Sequence, residues 1–339
     1  MIFVDGLPFT NPASDGNKNL VALLEHPSLV AAVELFKAIP EEKYSGREQS
    51  NLENSLVAKH VYLFQREYAT VNPALVELVG TDEATTCVGL VIRNQNNGMT
   101  SVAHLDSPGV VDLGLTQMLS LIFDNDEEAK LDVHLVGGFE DASYEHSNAT
   151  AELDNHERSG GYSLRLCSKI VEALQSRQEN FHIQTLCVLR HNTVRASGGD
   201  AHPILETSTG SIRPAGFDRS SRCPDEIVRR IRVTVSSTDH RWDGKLLETY
   251  DTYHDRFHIA PCSWALYWRH YASSLQQYSD SEILLKCSTS PSAEGPDFVD
   301  NERRVFDYLI KYPDWRQTFP KGKPRVFERA PNGGWTRCK

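Results

Sequence analysis

Apolar residues at helical spacing run from Leu20 to Ile39 (Leu20, Leu23, Leu24, Val30, Val33, Leu35, Phe36), and Pro27 divides the run into two predicted helices. Val57 to Val71 reads as one or two strands. Cys87 to Ile92 and Met99 to Leu105 are short apolar segments flanking Arg93-Asn94-Gln95-Asn96-Asn97-Gly98. Those intervening residues form turns readily, so the pair predicts a β-hairpin. Leu131 to Phe139 predicts a strand ending in Gly137-Gly138, and Gly160 to Leu174 an amphipathic helix with Leu164, Leu166, Ile170, Val171 and Leu174 on one stripe. Phe181 to Leu189 reads as a buried strand.

The stretch from His191 to Asp225 is rich in Gly, Ser, Arg and Pro and predicts a long exposed loop with some hairpin inside it. A helix is expected near Asp225 to Arg232, strands near Arg232 to Val235 and Leu246 to Ala260, and a helix near Asn301 to Lys311. Helices and strands mix without regular β-α-β alternation. That favours an α+β fold, an α-β-β sandwich, over a doubly wound sheet. No linker divides the 339 residues, so one elaborated domain spanning 1–339 is expected, with polar insertions near 140–160 and 191–222.

Composition narrows the class. With 40% apolar and 24% charged residues the chain can build a sizeable core. The longest apolar stretches, such as Leu115 to Phe123, are too short for a membrane span, so no membrane partner is expected. The start, Met1-Ile2-Phe3-Val4-Asp5-Gly6, has no basic leader with an apolar core, which gives the expectation of a cytoplasmic, or also nuclear, location. Seven cysteines without short regular spacing suggest free thiols. A net charge of −11 argues against nucleic acid. The exception, Arg229-Arg230-Ile231-Arg232, reads as the solvated face of a helix. The negative surface favours cationic partners, free α-amino groups among them.

The sharpest chemical feature is Thr81-Asp82-Glu83-Ala84-Thr85-Thr86-Cys87, with His104 seventeen residues beyond the cysteine. A four-residue loop at Asn94 to Asn97 would set Cys87 directly opposite His104, and a register change of two would leave them diagonal on one face. An imidazolium beside a thiol raises its thiolate fraction, and the histidine can then protonate departing ammonia. Gly137-Gly138, or the N–H of Cys87, could supply oxyanion donors. Residue types alone leave the alternative of a buried core thiol open.

The segment Leu78-Val79-Gly80-Thr81-Asp82-Glu83-Ala84-Thr85-Thr86-Cys87 closely resembles the nucleophile motif of the protein N-terminal asparagine amidohydrolase family. Further similar segments are Val4-Asp5-Gly6, Leu131 to Phe139, Gln184 to Val188, Ile259 to Trp264 and Ser288 to Pro296, so the resemblance runs through nearly the whole chain. It is weakest over Glu140 to Gly160 and His191 to Arg222. The Cys87, His104 and Thr81 spacing, with Gly137-Gly138, also resembles the shorter bacterial chemoreceptor glutamine deamidases.

The resemblance implies deamidation of an N-terminal Asn to Asp, the first step of an N-degron pathway. Its substrates would be proteins or peptides with N-terminal Asn. Cys87 would be the nucleophile and His104 the acid and base. Thr81 would orient His104, with Thr85 and Thr86 as alternatives. No cofactor and no metal are needed, and the chain is expected to act as a monomer. A buried α-ammonium requires a counter-charge. Asp106, two residues past His104, is the first candidate, followed by Glu294 and Asp141. A deamidase acting on internal Gln or Asn, and a non-catalytic N-degron-binding module, remain as rivals. His254 and His258 lie in an extended segment and are not expected to hold a metal. Gly160-Gly161 and Gly198-Gly199 lack a phosphate-site context. Cys187, Trp264 and Trp268 are expected to be structural, the tryptophans as core or rim aromatics.

Overall fold

The computed structural model describes residues 1–10, 16–45, 58–123, 129–140, 161–192, 203–236 and 239–338. In chain order the strands are β1 (Ile2–Val4), β2 (Leu7–Pro8), β3 (Glu42–Tyr44), β4 (His60–Leu63), β5 (Glu67–Val71), β6 (Leu78–Thr81), β7 (Val88–Asn94), β8 (Thr100–Leu105) and β9 (Lys130–Phe139). They continue as β10 (Asn180–Leu189), β11 (Pro203–Glu206), β12 (Ile212–Phe217), β13 (Leu247–Glu248), β14 (Tyr250–Asp251), β15 (Arg256–Ile259), β16 (Arg325–Arg329) and β17 (Trp335–Arg337). The principal helices are α1 (Gly16–Leu24), α2 (Pro27–Ala38), α3 (Val111–Leu119), α4 (Tyr162–Ser176), α5 (Glu226–Ser236), α6 (Tyr267–Leu275), α7 (Asp280–Cys287) and α8 (Phe298–Lys311).

One mixed sheet has the order β13-β5-β8-β7-β9-β10-β1-β2, a second β3-β12-β11-β6-β4, and a third β14-β15-β16-β17. Alternation along β7 and β9 decides the layering. Val88, Leu90, Ile92, Leu131, Val133 and Leu135 point into one core with Leu20, Leu115, Leu166 and Ile170 of the helices. Val91 and Val136 point the other way, into a core shared with Val79, Leu205 and Ile231. Helices, the eight-stranded sheet and the five-stranded sheet thus stack as three layers, the α+β arrangement expected. Pro27 opens α2 at its first turn, where its missing N–H costs nothing.

Three expectations are corrected. Arg232 to Val235 is not a strand. Val228, Ile231 and Val235 are buried at helical spacing and carry α5 through to Ser236. The basic run is not solvated: Arg229 and Arg232 have side-chain exposures of 0%, both bonded to Glu67, which is equally buried. The hairpin expected inside the predicted loop is present as β11–β12, but it is not exposed: it pairs into the second sheet with Ile204, Leu205 and Ala215 buried. The expectations for 141–160, including Asp141, and for 193–202 lie outside the described residues.

Candidate active site

The β7–β8 hairpin sets the register of the site. Asn94 accepts from Gly98 N–H, donates to Met99 O, and Gly98 turns at φ +72°. Asn94 and Asn97 also accept from the N–H groups of Asn96 and Met99. The loop is therefore Gln95 to Gly98, one residue later than the spacing argument set it. His104 pairs with Gly89 and Leu105 with Val88, so the position facing Cys87 is Asp106. Cys87 and His104 are accordingly diagonal, the two-residue register change that keeps both side chains on one face.

Thr81 ends β6 on the second sheet and reaches across the interlayer space. Its Oγ1 lies 2.6 Å from His104 Nδ1 and donates to Leu63 O at 2.8 Å. A hydroxyl has one proton. With that proton on a carbonyl, Oγ1 accepts from Nδ1–H, which leaves Nε2 as the basic nitrogen of the neutral ring. Thr85 and Thr86 bond elsewhere: Ser290 Oγ donates to Thr85 Oγ1 at 2.8 Å, and Thr86 Oγ1 lies 3.3 Å from Thr289 Oγ1.

The rest of the loop is held from several directions. Asp82 accepts from the Tyr62 hydroxyl, Phe217 N–H and Arg222. Glu83, in the left-handed region at φ +57°, accepts from Arg222 and Arg230. Phe139 N–H donates to Thr85 O, and Gly138 N–H donates to Cys87 O at 2.7 Å. One of the two glycine N–H groups expected as oxyanion donors is thus occupied. Gly138 N–H is committed to the cysteine carbonyl, and Gly137, at φ +119°, lets β9 approach so closely that a Cβ there would sit 2.6 Å from Cys87 O. Their positive φ and lack of Cβ let β9 lie against the loop that ends in Cys87.

The carboxylates come from different elements. Asp106 lies 4.0 Å from Arg66 Nε and receives Ser107 Oγ, while Tyr162 OH donates to the Asp106 carbonyl. Glu294 accepts from Ser288 Oγ, in the same segment whose Thr289 and Ser290 hold Thr86 and Thr85. Arg66, Glu83, Tyr162, Arg222 and Ser290 were not singled out from sequence. Each acts through a partner tens to hundreds of residues away; Glu83 lay within the quoted nucleophile motif and Ser290 within the similar segment Ser288 to Pro296, and neither was given a role.

The family model described as protein N-terminal asparagine amidohydrolase matches residues 50–337. The chain belongs to that family. A relative of this name from Arabidopsis thaliana is 53% identical, with 100% of each chain covered. Others from Sus scrofa and Mus musculus are 31% and 29% identical, covering 81% and 91% of this chain and 82% and 94% of theirs.

A thiol ionises before it can act as a nucleophile, and the surroundings of Cys87 oppose ionisation. Burial pushes the Cys87 thiol well up, Asp106 and Glu294 push it further, and only a hydrogen bond with Thr86 works the other way. The Asp106 carboxyl is itself raised by burial, against Arg66, Gln65 and Ser107. Among the described residues no cluster of His, Cys, Asp and Glu has the form of a metal site. His258 lies on β15 and His254 in the turn before it, where it bonds Asp251. Cys187 is wholly buried on β10.

Proposed function

We propose that this enzyme hydrolyses the side-chain carboxamide of an N-terminal asparagine, giving N-terminal aspartate and ammonia. The observation that carries the reading is the Thr81–His104 contact on the sheet face shared with a buried cysteine, on which the charges of two carboxylates act. Cys87 Sγ takes the nucleophile's part. His104 Nε2 receives the thiol proton and returns it to the leaving nitrogen, and Thr81 holds the ring in that tautomer. The Cys87 N–H is the oxyanion donor that remains once Gly138 is committed. Water then attacks the thioester, with His104 as base, and the C–S bond breaks to restore the thiol.

Asp106 and Glu294 are the counter-charges for the α-ammonium. Two anions beside the thiol suit a cationic substrate end far better than an internal, neutral side chain, which disfavours the internal deamidase. Product proteins with N-terminal Asp would enter an N-degron pathway. The test is the intact mass of an Asn-starting peptide after incubation, against its N-acetylated form. The reading expects the mass gain of NH2 replaced by OH on the free peptide alone, and none with Cys87→Ser. Turnover by Cys87→Ser, or equal turnover of the acetylated peptide, would overturn it.

A further inference from the structure

Two elements bring carboxylates to the surroundings of the thiol, and the charge of each acts on it. The β7–β8 register sets Asp106 level with Cys87. The turn after α7 is tied to the nucleophile loop through Ser290–Thr85 and Thr289–Thr86, and the same turn presents Glu294. Among the described residues, the other titratable or charged groups near the thiol are Tyr162 at the start of α4, on which the charge of Cys87 acts, His104 on β8, and Arg66, which lies against Asp106. Arg66 Nε lies 4.0 Å from Asp106 while its Nη1 donates to Ser236 Oγ at 3.5 Å, and the charges acting most strongly on Cys87 are the two carboxylates.

We propose that the substrate's own α-ammonium switches on Cys87: seated between Asp106 and Glu294, it cancels the charges flanking Sγ, so a free N-terminus is required for thiol ionisation as well as for binding. The proposal rests on the reading of the site given above and deepens it. In the empty enzyme burial and the two anions keep the proton on sulfur. When the cation arrives, the proton passes from Sγ to His104 Nε2, which the Thr81 contact leaves as the basic nitrogen. The thiolate attacks the carboxamide carbon, the C–N bond breaks, and the imidazolium proton leaves on ammonia. Water adds to the thioester with its proton going to His104, the C–S bond breaks, and product release returns the site to its protonated, less oxidisable state.

The test reads thiol reactivity apart from turnover. Full-length enzyme is alkylated with iodoacetamide near neutral pH, and modification of Cys87 is followed by peptide mass. Glycinamide, which carries the ammonium but no side chain to cover the thiol, is compared with N-acetylglycinamide, each at concentrations bracketing glycinamide's inhibition of ammonia release from an Asn-starting peptide. Glycinamide is expected to accelerate Cys87 alkylation by about 10-fold or more, equivalent to one or more units of thiol pKa, and its acetylated form to leave the rate unchanged. Glu294→Gln is expected to raise the ligand-free rate and to weaken the glycinamide response. Cys167 and Cys187, both wholly buried, serve as internal references; if the variant also labels these, it has opened, and the wild-type comparison decides alone. An unchanged or slower rate with glycinamide, or no inhibition by glycinamide, overturns the proposal. Wild-type enzyme that releases ammonia without a glycinamide response keeps the amidohydrolase reading and loses this one.

Discussion

Helix α5 sends arginines into two clusters of the same chemistry and opposite character. Arg229 and Arg232 converge on Glu67, with all three side chains at 0% exposure. Arg229 is stacked between the rings of Phe64 and Phe257 at 4.7 and 4.8 Å, and it also donates to the carbonyls of Tyr62, Cys223 and Pro224. Burial would raise the Glu67 carboxyl, but the two arginines outweigh it and hold it below the ordinary range. Arg230 instead turns with Arg222 to Glu83, whose side chain is 30% exposed and lies in the field of His104. Tyr62 joins the two clusters, its carbonyl on Arg229 and its hydroxyl on Asp82. The dry cluster locks the sheets and α5 into one packing. The wet one fixes the loop that carries Thr81 and Cys87. An ion pair's effect is thus read from what its partners are attached to and how dry they are.

The comparison breaks most visibly at Glu67. Glu67→Gln leaves two buried guanidiniums short of their counter-charge, and the expected loss is about 3–5 kcal/mol of stability. Urea unfolding measures it. Replacing Glu67, Arg229 and Arg232 together by apolar residues should cost less than the single change, because no uncompensated charge stays behind. A single variant as stable as wild type would mean that water reaches the cluster.

Glu83→Gln is the matching change on the wet side, and the ratio of effects should invert. Partial exposure limits the stability loss to about 1 kcal/mol. The loop from Thr81 to Cys87 loses its two-arginine anchor, and small displacements of a reacting group cost about 10- to 100-fold in rate. Steady-state ammonia release is therefore expected to show a fall of that size in kcat, with KM changed by less than about threefold. A stability loss as large as that of Glu67→Gln, with unchanged kcat, would erase the distinction between the clusters.

What was legible in the sequence follows the range of each interaction. The α4 stripe, the β9 and β10 strands and the β7–β8 hairpin are local patterns, and the mixing of helices and strands without regular β-α-β alternation carried the α+β reading. The hairpin register was within reach as well. Gly98 is the residue that takes positive φ most easily, and placing it at the end of the loop would have set Asp106, not His104, against Cys87. The arginine run was misread because amphipathicity scores a charge as solvated, and nothing local announces Glu67, 162 residues before Arg229. The glycine pair was read as a source of N–H groups, whereas its positive φ and close contacts with Cys87 O serve packing. Ser290 and Glu294 reach the site only because the C-terminal turn folds back onto the loop.

Glu302 on α8 sharpens the contrast, because it is a carboxylate in the field of the wet cluster that, among the described residues, forms no ion pair with an arginine. Burial pushes its carboxyl up to about 7, Arg230 pulls it back, and the charges of Glu83 and Glu294 add to the rise. Arg230 is already bonded to Glu83 and Glu226. The sign follows from linkage. Below the ordinary value of 4.5 both folded and unfolded states hold the proton, and this group's contribution to stability is fully present. As pH rises from there through about 7, the unfolded chain ionises first, so stability is lost across that window. Glu302→Gln, which cannot ionise, should match wild type near the lower end and exceed it by about 1–3 kcal/mol at roughly pH 8, after allowance for partial exposure. Urea midpoints at the two ends of the window measure the difference. An offset that does not change with pH would mean that Glu302 ionises as freely as a surface carboxylate, and the wet cluster would then be wetter than its geometry indicates.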